Sequence, residues 1–383
     1  MNALYLLFLL ASFFLDCVIG IDENSLILCA NRKSILGVSS DTSKSREIVG
    51  GLNRSNAVDY HYAKGLVVWT DVETEKIYSI PIFANPRSAT KQVLVESCVT
   101  PDGVAVDWIH DNLYWTDADT DVVAVARLVD GSLITTLVKK DLHDPRAIVI
   151  DPNVGLMFWT DWGRNPRIER AGMDGSQRRV IITSGIKWPN GLAIDLLARC
   201  IYWIDGSTRV LSSSNYDGED EKVILTGTPL KHPFSLDILG DWLYWTDWSS
   251  GYEGLYKTNR KSGHEESRKI GSGEGWKTLM GVKVYDASKQ PAGFNRCTNK
   301  NGGCTHLCLP APGEVNYSCV CPDNIQGSEN CSTTPLEPLL NSENERIWYE
   351  SHTVTHVPDV GAIMLMALGI ISILLVRKGS EYK

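Results

Sequence analysis

From about Leu26 to Tyr285 the chain alternates apolar and polar positions in short runs rich in Val, Ile, Tyr and Trp, each bounded by Gly, Asp or Pro. That period of two predicts β-strands with one buried face. The runs keep a longer phase as well. Tyr114-Trp115-Thr116-Asp117 returns as Val68-Trp69-Thr70-Asp71, Phe158-Trp159-Thr160-Asp161, Tyr202-Trp203-Ile204-Asp205 and Tyr244-Trp245-Thr246-Asp247, with the tryptophans 46, 44, 44 and 42 residues apart. Pro101, Pro145, Pro189 and Pro233, each 44 residues from the next, open the apolar run ahead of a motif. Asp130-Gly131, Asp174-Gly175 and Asp217-Gly218 trail it and read as tight hairpin turns, where Gly takes a positive φ.

A period in the forties marks a repeat architecture whose unit cannot bury a core alone. Four short strands per period, closed in a ring, predict an all-β, six-bladed propeller. The innermost strands fall at Asn56–Tyr60, Asp102–Asp107, Arg146–Asp151, Asn190–Asp195, Phe234–Ile238 and Leu279–Tyr285. Only five motifs serve these six strands, so Leu26–Arg32, from the other end of the chain, supplies the missing second strand and leaves no free sheet edge. The motif tryptophans are read as packing between blades.

The remainder divides the 383 residues further. The apolar run at 3–15 is too short to span a bilayer and is followed by small residues, which predicts a signal peptide over 1–20. The propeller occupies 21–285, a linker 286–296, a cysteine-rich module 297–331 and a polar, Pro-bearing stalk 332–359. Residues 360–376 are uncharged and mostly apolar, at the lower limit for one transmembrane helix, and Arg377 and Lys378 place a tail, 377–383, in the cytoplasm. The expectation is a single-pass type I protein of the cell membrane with its propeller outside; a GPI signal is the alternative. Asn53 and Asn316 then become glycosylation acceptors, and Asn330 a weaker one beside Cys331. A net charge of −9 argues against nucleic acid as the main partner.

Cys297, Cys304, Cys308, Cys319, Cys321 and Cys331 lie within 35 residues, too few to fold without cross-links. Six cysteines allow 15 pairings, and a zinc cluster is the alternative to disulfides. No acidic cluster before Cys297 supports calcium. Cys29, Cys98 and Cys200 are an odd set, read as buried thiols acting as small hydrophobes. No hydrolase signature or metal-ligand spacing of histidines is present, so neither an enzyme nor a cofactor is expected.

The motif repeat followed by six cysteines resembles the low-density-lipoprotein-receptor family over roughly residues 25–331. Within it the chain is similar to the first propeller of the Wnt co-receptors, the receptor-related proteins five and six and insect arrow. The resemblance rests on Ala30-Asn31-Arg32, Ile48–Leu52, Ile168–Gly175, Trp188–Gly191 and His232-Pro233-Phe234. It implies an EGF-like module paired Cys297–Cys308, Cys304–Cys319 and Cys321–Cys331. It also implies a propeller top face that takes Asn-x-Ile peptides of secreted antagonists, and Wnt ligands.

By that resemblance Asn190 hydrogen-bonds the peptide's Asn and Trp188 is an aromatic wall, while Arg32, Glu75, Arg146, Trp162, His232 and Trp248 fall on or near the face. Structural readings stand beside these. Trp162 and Trp248 are equally read as rim packing, Asn190 as a loop former, His232 as a loop residue before proline. Arg146 is alternatively a bridge between blades, and Arg32 and Glu75 solvated charges. Asn53 and Arg54 replace acidic residues of the co-receptors, and type A modules and a long signalling tail are missing. The expectation is a receptor-like binding protein resembling a truncated Wnt co-receptor. The alternatives are an adhesion or matrix-binding protein and a fragment of an endocytic lipoprotein receptor.

Overall fold

The computed structural model describes residues 26–325, apart from 41–43, 86–89, 272–273, 299 and 314–315. The expected leader, Asn330, Cys331, the stalk, the 360–376 span and the tail lie outside the described residues. Among the described residues no helix is long and apolar enough to cross a membrane.

The chain opens with β1 (Leu26–Ala30), β2 (Arg32–Ser39), β3 (Ser45–His61), β4 (Leu66–Asp71), β5 (Lys76–Pro81) and β6 (Gln92–Val95). Four antiparallel sheets of four strands follow. They are β7 (Pro101–Asp107), β8 (Asn112–Asp117), β9 (Val122–Arg127) and β10 (Thr135–Val138); then β11 (Pro145–Asp151), β12 (Leu156–Asp161), β13 (Arg167–Gly172) and β14 (Arg179–Ile182). Next come β15 (Pro189–Asp195), β16 (Cys200–Asp205), β17 (Val210–Asn215) and β18 (Lys222–Thr226); then β19 (Pro233–Leu239), β20 (Trp242–Asp247), β21 (Gly254–Asn259) and β22 (Arg268–Gly271). β23 (Val282–Tyr285) returns to the start of the chain and pairs with β1, so the first sheet has seven strands in the order β23-β1-β2-β3-β4-β5-β6. Its long strand β3 serves two neighbours: Ser45 to Ser55 faces β2, and Ser55 to His61 faces β4.

The strands that begin each repeat touch in the sequence β3, β7, β11, β15, β19, β23 and back to β3. They form the inner wall of a ring. The expected inner strands coincide with these, with two differences. The last begins at Val282 rather than Leu279, because Met280 and Gly281 spend their amides on Ala30 O and on Asn56 O of the neighbouring wall strand. The N-terminal strand breaks at Asn31, where Arg32 takes φ 63° and turns the chain into β2.

The five motif tryptophans are buried, none above 3% exposed. Each joins an apolar cluster drawn from adjacent sheets: Trp115 packs with Val68, Ile77 and Leu94, and Trp203 with Val149, Phe158 and Ile168. A buried indole contributes roughly 3–5 kcal/mol against truncation to Ala, which explains the Trp period as a packing period. The hairpin glycines also serve the joints. Gly131 has φ 63°, and a Cβ there would fall 1.3 Å from the Leu94 carbonyl oxygen of the preceding sheet.

Beyond β23 the chain crosses the far end of the ring. Lys289 Nζ lies 2.5 Å from Asp237 Oδ1, and Gln290 Nε2 donates to Tyr60 O at 2.7 Å. β24 (Leu307–Pro310) and β25 (Tyr317–Val320) then form a two-stranded sheet held by disulfides Cys297–Cys308 and Cys304–Cys319, two of the three expected pairings. The third falls on Cys331, outside the described residues. Leu307 and Leu309 are buried against Tyr114, Met157 and Met173 of the propeller. Cys29 and Cys98 are buried thiols as expected, whereas Cys200 is half-exposed.

Candidate functional site: an aromatic row over a polar pocket

The motif's Thr and Asp build one end of the ring, a role its Trp period alone does not reveal. Each motif closes a second strand where the adjacent wall strand begins. There its buried Asp accepts backbone N–H bonds from the loop entering that wall strand. Asp205 Oδ2 accepts from Lys187 N at 2.6 Å and Trp188 N at 2.9 Å, and its Oδ1 from Ser207 N and Thr208 N. Asp247 does the same for Lys231 and His232, and Asp71 for Asn53 and Arg54. The Thr hydroxyl accepts from its own wall strand, and in two motifs it also donates onward: Thr116 to Arg146 O, and Thr246, which accepts from Ser235 N at 3.2 Å, to Met280 O at 2.6 Å. Ile204 stands in the Thr position of its motif and cannot make this link.

These bonds set which side chains share the face. The residue after a motif donates to the carbonyl of the residue before a Pro of the period: Trp162 N to Asp144 O, Gly206 N to Trp188 O, and Trp248 N to His232 O. An aromatic at either position therefore stands on the same rim. Trp162 and Trp188 meet edge to face at 6.2 Å between centroids, Trp188 and His232 at 5.9 Å, and His232 and Trp248 at 5.1 Å. Trp188 is 41% exposed. The other three rings are half-buried.

Beneath the row, the residues one place after each Pro line the mouth of the ring. Arg146 Nε lies 2.9 Å from Asp102 Oδ2, and its Nη1 donates to Asn190 Oδ1 at 3.1 Å. Its guanidinium carbon lies 4.2 Å from the centre of the Trp162 ring and 5.4 Å from that of Phe234. Asn190 Nδ2 donates to Pro233 O at 2.9 Å. Asn56 donates to both the carboxylate and the carbonyl of Asp102. Together with Gly281 these groups border a cavity of about 40 Å³. Burial pushes the Asp102 carboxyl above its ordinary range, against the pull of Arg146 and Asn56. Burial also lowers His232, opposed by the Asp247 carboxylate and assisted by Arg146.

The structure thus brings six of the eight expected residues together: Arg146, Trp162, Trp188, Asn190, His232 and Trp248. Arg146 does bridge sheets, and it does so within the site. Asn190 is 4% exposed with both amide atoms engaged, leaving one N–H and one lone pair for a ligand. Arg32 and Glu75 stand at the same end of the ring, at φ 63° and 58°, on turns of the seven-stranded sheet. Glu75 is exposed. Arg32 Nε is buried with no partner among the described residues. Asn56, Asp102 and Phe234 complete the mouth without having been singled out; the Pro period, read one residue further, marks the last two. Asn53 is exposed within β3, its amide donating to Asp71, and Asn316 is half-buried at φ 64°. Among the described residues no group of three or more His, Cys, Asp or Glu side chains can hold a metal. The site presents aromatic walls, a buried cation and an amide.

The sequence matches the low-density lipoprotein receptor repeat class B family over residues 111–152, 155–196 and 199–236. It is 41% identical over 321 residues to low-density lipoprotein receptor-related protein 5 of Mus musculus, covering 82% of this chain and 19% of that protein. It is 34% identical over 309 residues to the vitellogenin receptor Yl of Drosophila melanogaster, covering 80% of this chain and 15% of that one. The chain thus spans under a fifth of the length of either relative. Among solved structures it resembles a chain of a nidogen/laminin complex, with a TM-score of 0.63 and 24% identity, covering 69% of this chain and 100% of that one. A gluconolactonase of Xanthomonas campestris aligns with a TM-score of 0.51 and 16% identity over 70% of this chain and 89% of the other, a likeness of fold alone. The period read in the sequence is therefore that of low-density lipoprotein receptor class B repeats, and the chain is homologous over most of its length to receptors that carry them.

Proposed function

We propose that the protein captures secreted protein ligands on the face formed by Trp162, Trp188, His232 and Trp248, in the manner of the propeller of a Wnt co-receptor. The observation that carries this is the half-exposed aromatic row standing directly over the Arg146–Asn190 pair. Aromatic side chains and Arg are the usual anchors of protein interfaces. An amide held by its neighbours presents its remaining N–H and lone pair in a fixed direction, which suits the amide of an Asn-x-Ile peptide. The scaffold is read as six blades, with β3 shared between the first and the last, followed by an EGF-like module. Residues 360–376 are assigned as the anchor that holds the propeller outside the cell.

The test is binding of an Asn-x-Ile peptide to the protein by calorimetry. Micromolar affinity corresponds to about −8 kcal/mol, and Trp188→Ala should cost about 2 kcal/mol as an exposed interface anchor. Absence of binding to the peptide and to any Wnt protein sinks the proposal. A matrix-binding role rests on the fold it shares with the nidogen/laminin complex; binding of laminin in place of the peptide would favour that reading.

A further inference from the structure

Basic side chains flank the Trp188–Trp248 end of the aromatic row. On the loops that carry Trp188, His232 and Trp248 stand three basic residues. Lys187, next to Trp188, is exposed. Arg209, exposed at φ 56°, sits on the turn that Gly206 N ties to Trp188 O at 2.9 Å. Lys231, next to His232, has its ammonium 4.9 Å from the Tyr252 ring centre. Among the described residues none of the three is ion-paired. Two carboxylates of these loops are spent inward: Asp205 and Asp247 are 0% and 1% exposed and hold backbone amides; Glu253 is half-buried and accepts from Gly251 N at 2.9 Å. On the opposite side, beyond Trp162, the exposed charges are mixed, with Arg164, Lys139 and Lys140 among the carboxylates. Asp144 follows His143, its amide held by Asp121 Oδ1 at 2.9 Å, and Asp119 accepts from Thr100 Oγ1 at 2.7 Å.

We infer that the face selects a peptide segment bearing acidic side chains, seated over Lys187, Arg209 and Lys231. This rests on the reading of the aromatic row as the ligand site. The physical ground is complementarity. Surface charges outside a desolvated anchor contribute modestly to affinity, but a like charge brought against them is penalised, so they act as a filter on which ligand is accepted. The overall charge of −9 does not oppose this, because a ligand meets the local groups within a Debye length of about 8 Å.

The experiment uses the full-length protein, immobilised, and three synthetic peptides sharing one Asn-x-Ile core, with flanks of Asp, Ser or Lys. The expected result is a Kd for the Asp-flanked peptide about tenfold below that of the Lys-flanked one, a gap that closes at about 1 M salt. Lys187→Glu combined with Arg209→Glu should remove the preference while leaving the melting temperature unchanged, since both side chains are exposed. Equal affinity for all flanks, or preference for Lys, with the Ser-flanked core still binding, overturns this inference and leaves the ligand site standing. No binding of any peptide sinks both. Competition by heparin without discrimination among flanks would give these cations to a sulfated polysaccharide and overturn the peptide assignment.

Discussion

The Arg146 guanidinium carbon lies 4.2 Å from the centre of the Trp162 ring while its Nη1 reaches Asn190 Oδ1 at 3.1 Å. One side chain thereby fixes an aromatic of the rim and the amide below it, and Asp102 balances its charge. Removing the cation alone should leave a buried carboxylate without its partner. Arg146→Ala is expected to lower stability by about 3–5 kcal/mol, and Arg146→Ala with Asp102→Asn by less than the sum of the single changes. Urea unfolding of the four proteins checks this. Additive losses would show that the pair is not coupled. Arg146→Lys should rescue only part, because an ammonium cannot stack on Trp162 and donate in a fork at once.

A second expectation concerns the motif aspartates. Asp205 accepts four backbone amides, two from each of the loops it joins. Asp205→Asn keeps the shape but turns an NH₂ toward donors, and hydrogen bonds to a charged acceptor are worth about 1.5–3 kcal/mol each. A loss of at least about 2 kcal/mol is expected, together with faster amide exchange at Lys187 and Trp188. Wild-type exchange at those two amides in the variant would refute the assignment of the carboxylate as the clasp of the loop.

Those clasps mark where sequence reading succeeds and where it stops. Alternation placed the strands, and the 44-residue spacing of Pro101 through Pro233 placed the inner wall almost to the residue. Tryptophan periodicity identified the joints between sheets. Arg146, Trp162, Trp188, Asn190, His232 and Trp248 were reached through the family resemblance, position by position, rather than through periodicity. Asn56 was not legible, because no Pro of the period precedes it and its role comes from donating to Asp102 across sheets, 46 positions on. Nor does any local signal tell that both atoms of the Asn190 amide are already bonded: its partners, Arg146 Nη1 and the Pro233 carbonyl, arrive from the two flanking sheets.

The three thiols of the propeller should differ in reactivity. Burial pushes Cys98 up to about 12 and Cys29 further still, whereas Cys200 is only half-buried and less strongly shifted toward the thiol. The thiolate is the nucleophile, and its fraction falls tenfold for each unit between pH and pKa. At about pH 8 a maleimide should therefore label Cys200 first, with Cys29 and Cys98 reacting only on unfolding. Mass spectrometry of timed samples decides it; early labelling of Cys98 in folded protein would contradict the closed joint between the first two sheets.

The last expectation is the response of His232 to acid. Its ring lies between Trp188 and Trp248, and burial lowers its pKa below the ordinary 6.5, with Arg146 adding to the shift and Asp247 opposing it. The unfolded chain therefore takes up this proton before the native chain does. Stability rises with pH wherever the unfolded state binds more protons, so the contribution of His232 is fully present above 6.5. It is lost as pH falls from there to the folded value. His232→Gln should flatten the stability profile across that window and leave it unaltered at neutral pH. An imidazole titration followed by NMR gives the direct measurement. A midpoint at or above 6.5 would mean that the Asp247 carboxylate outweighs desolvation between the two indoles, and the acid sensitivity assigned to this ring would have the opposite sign.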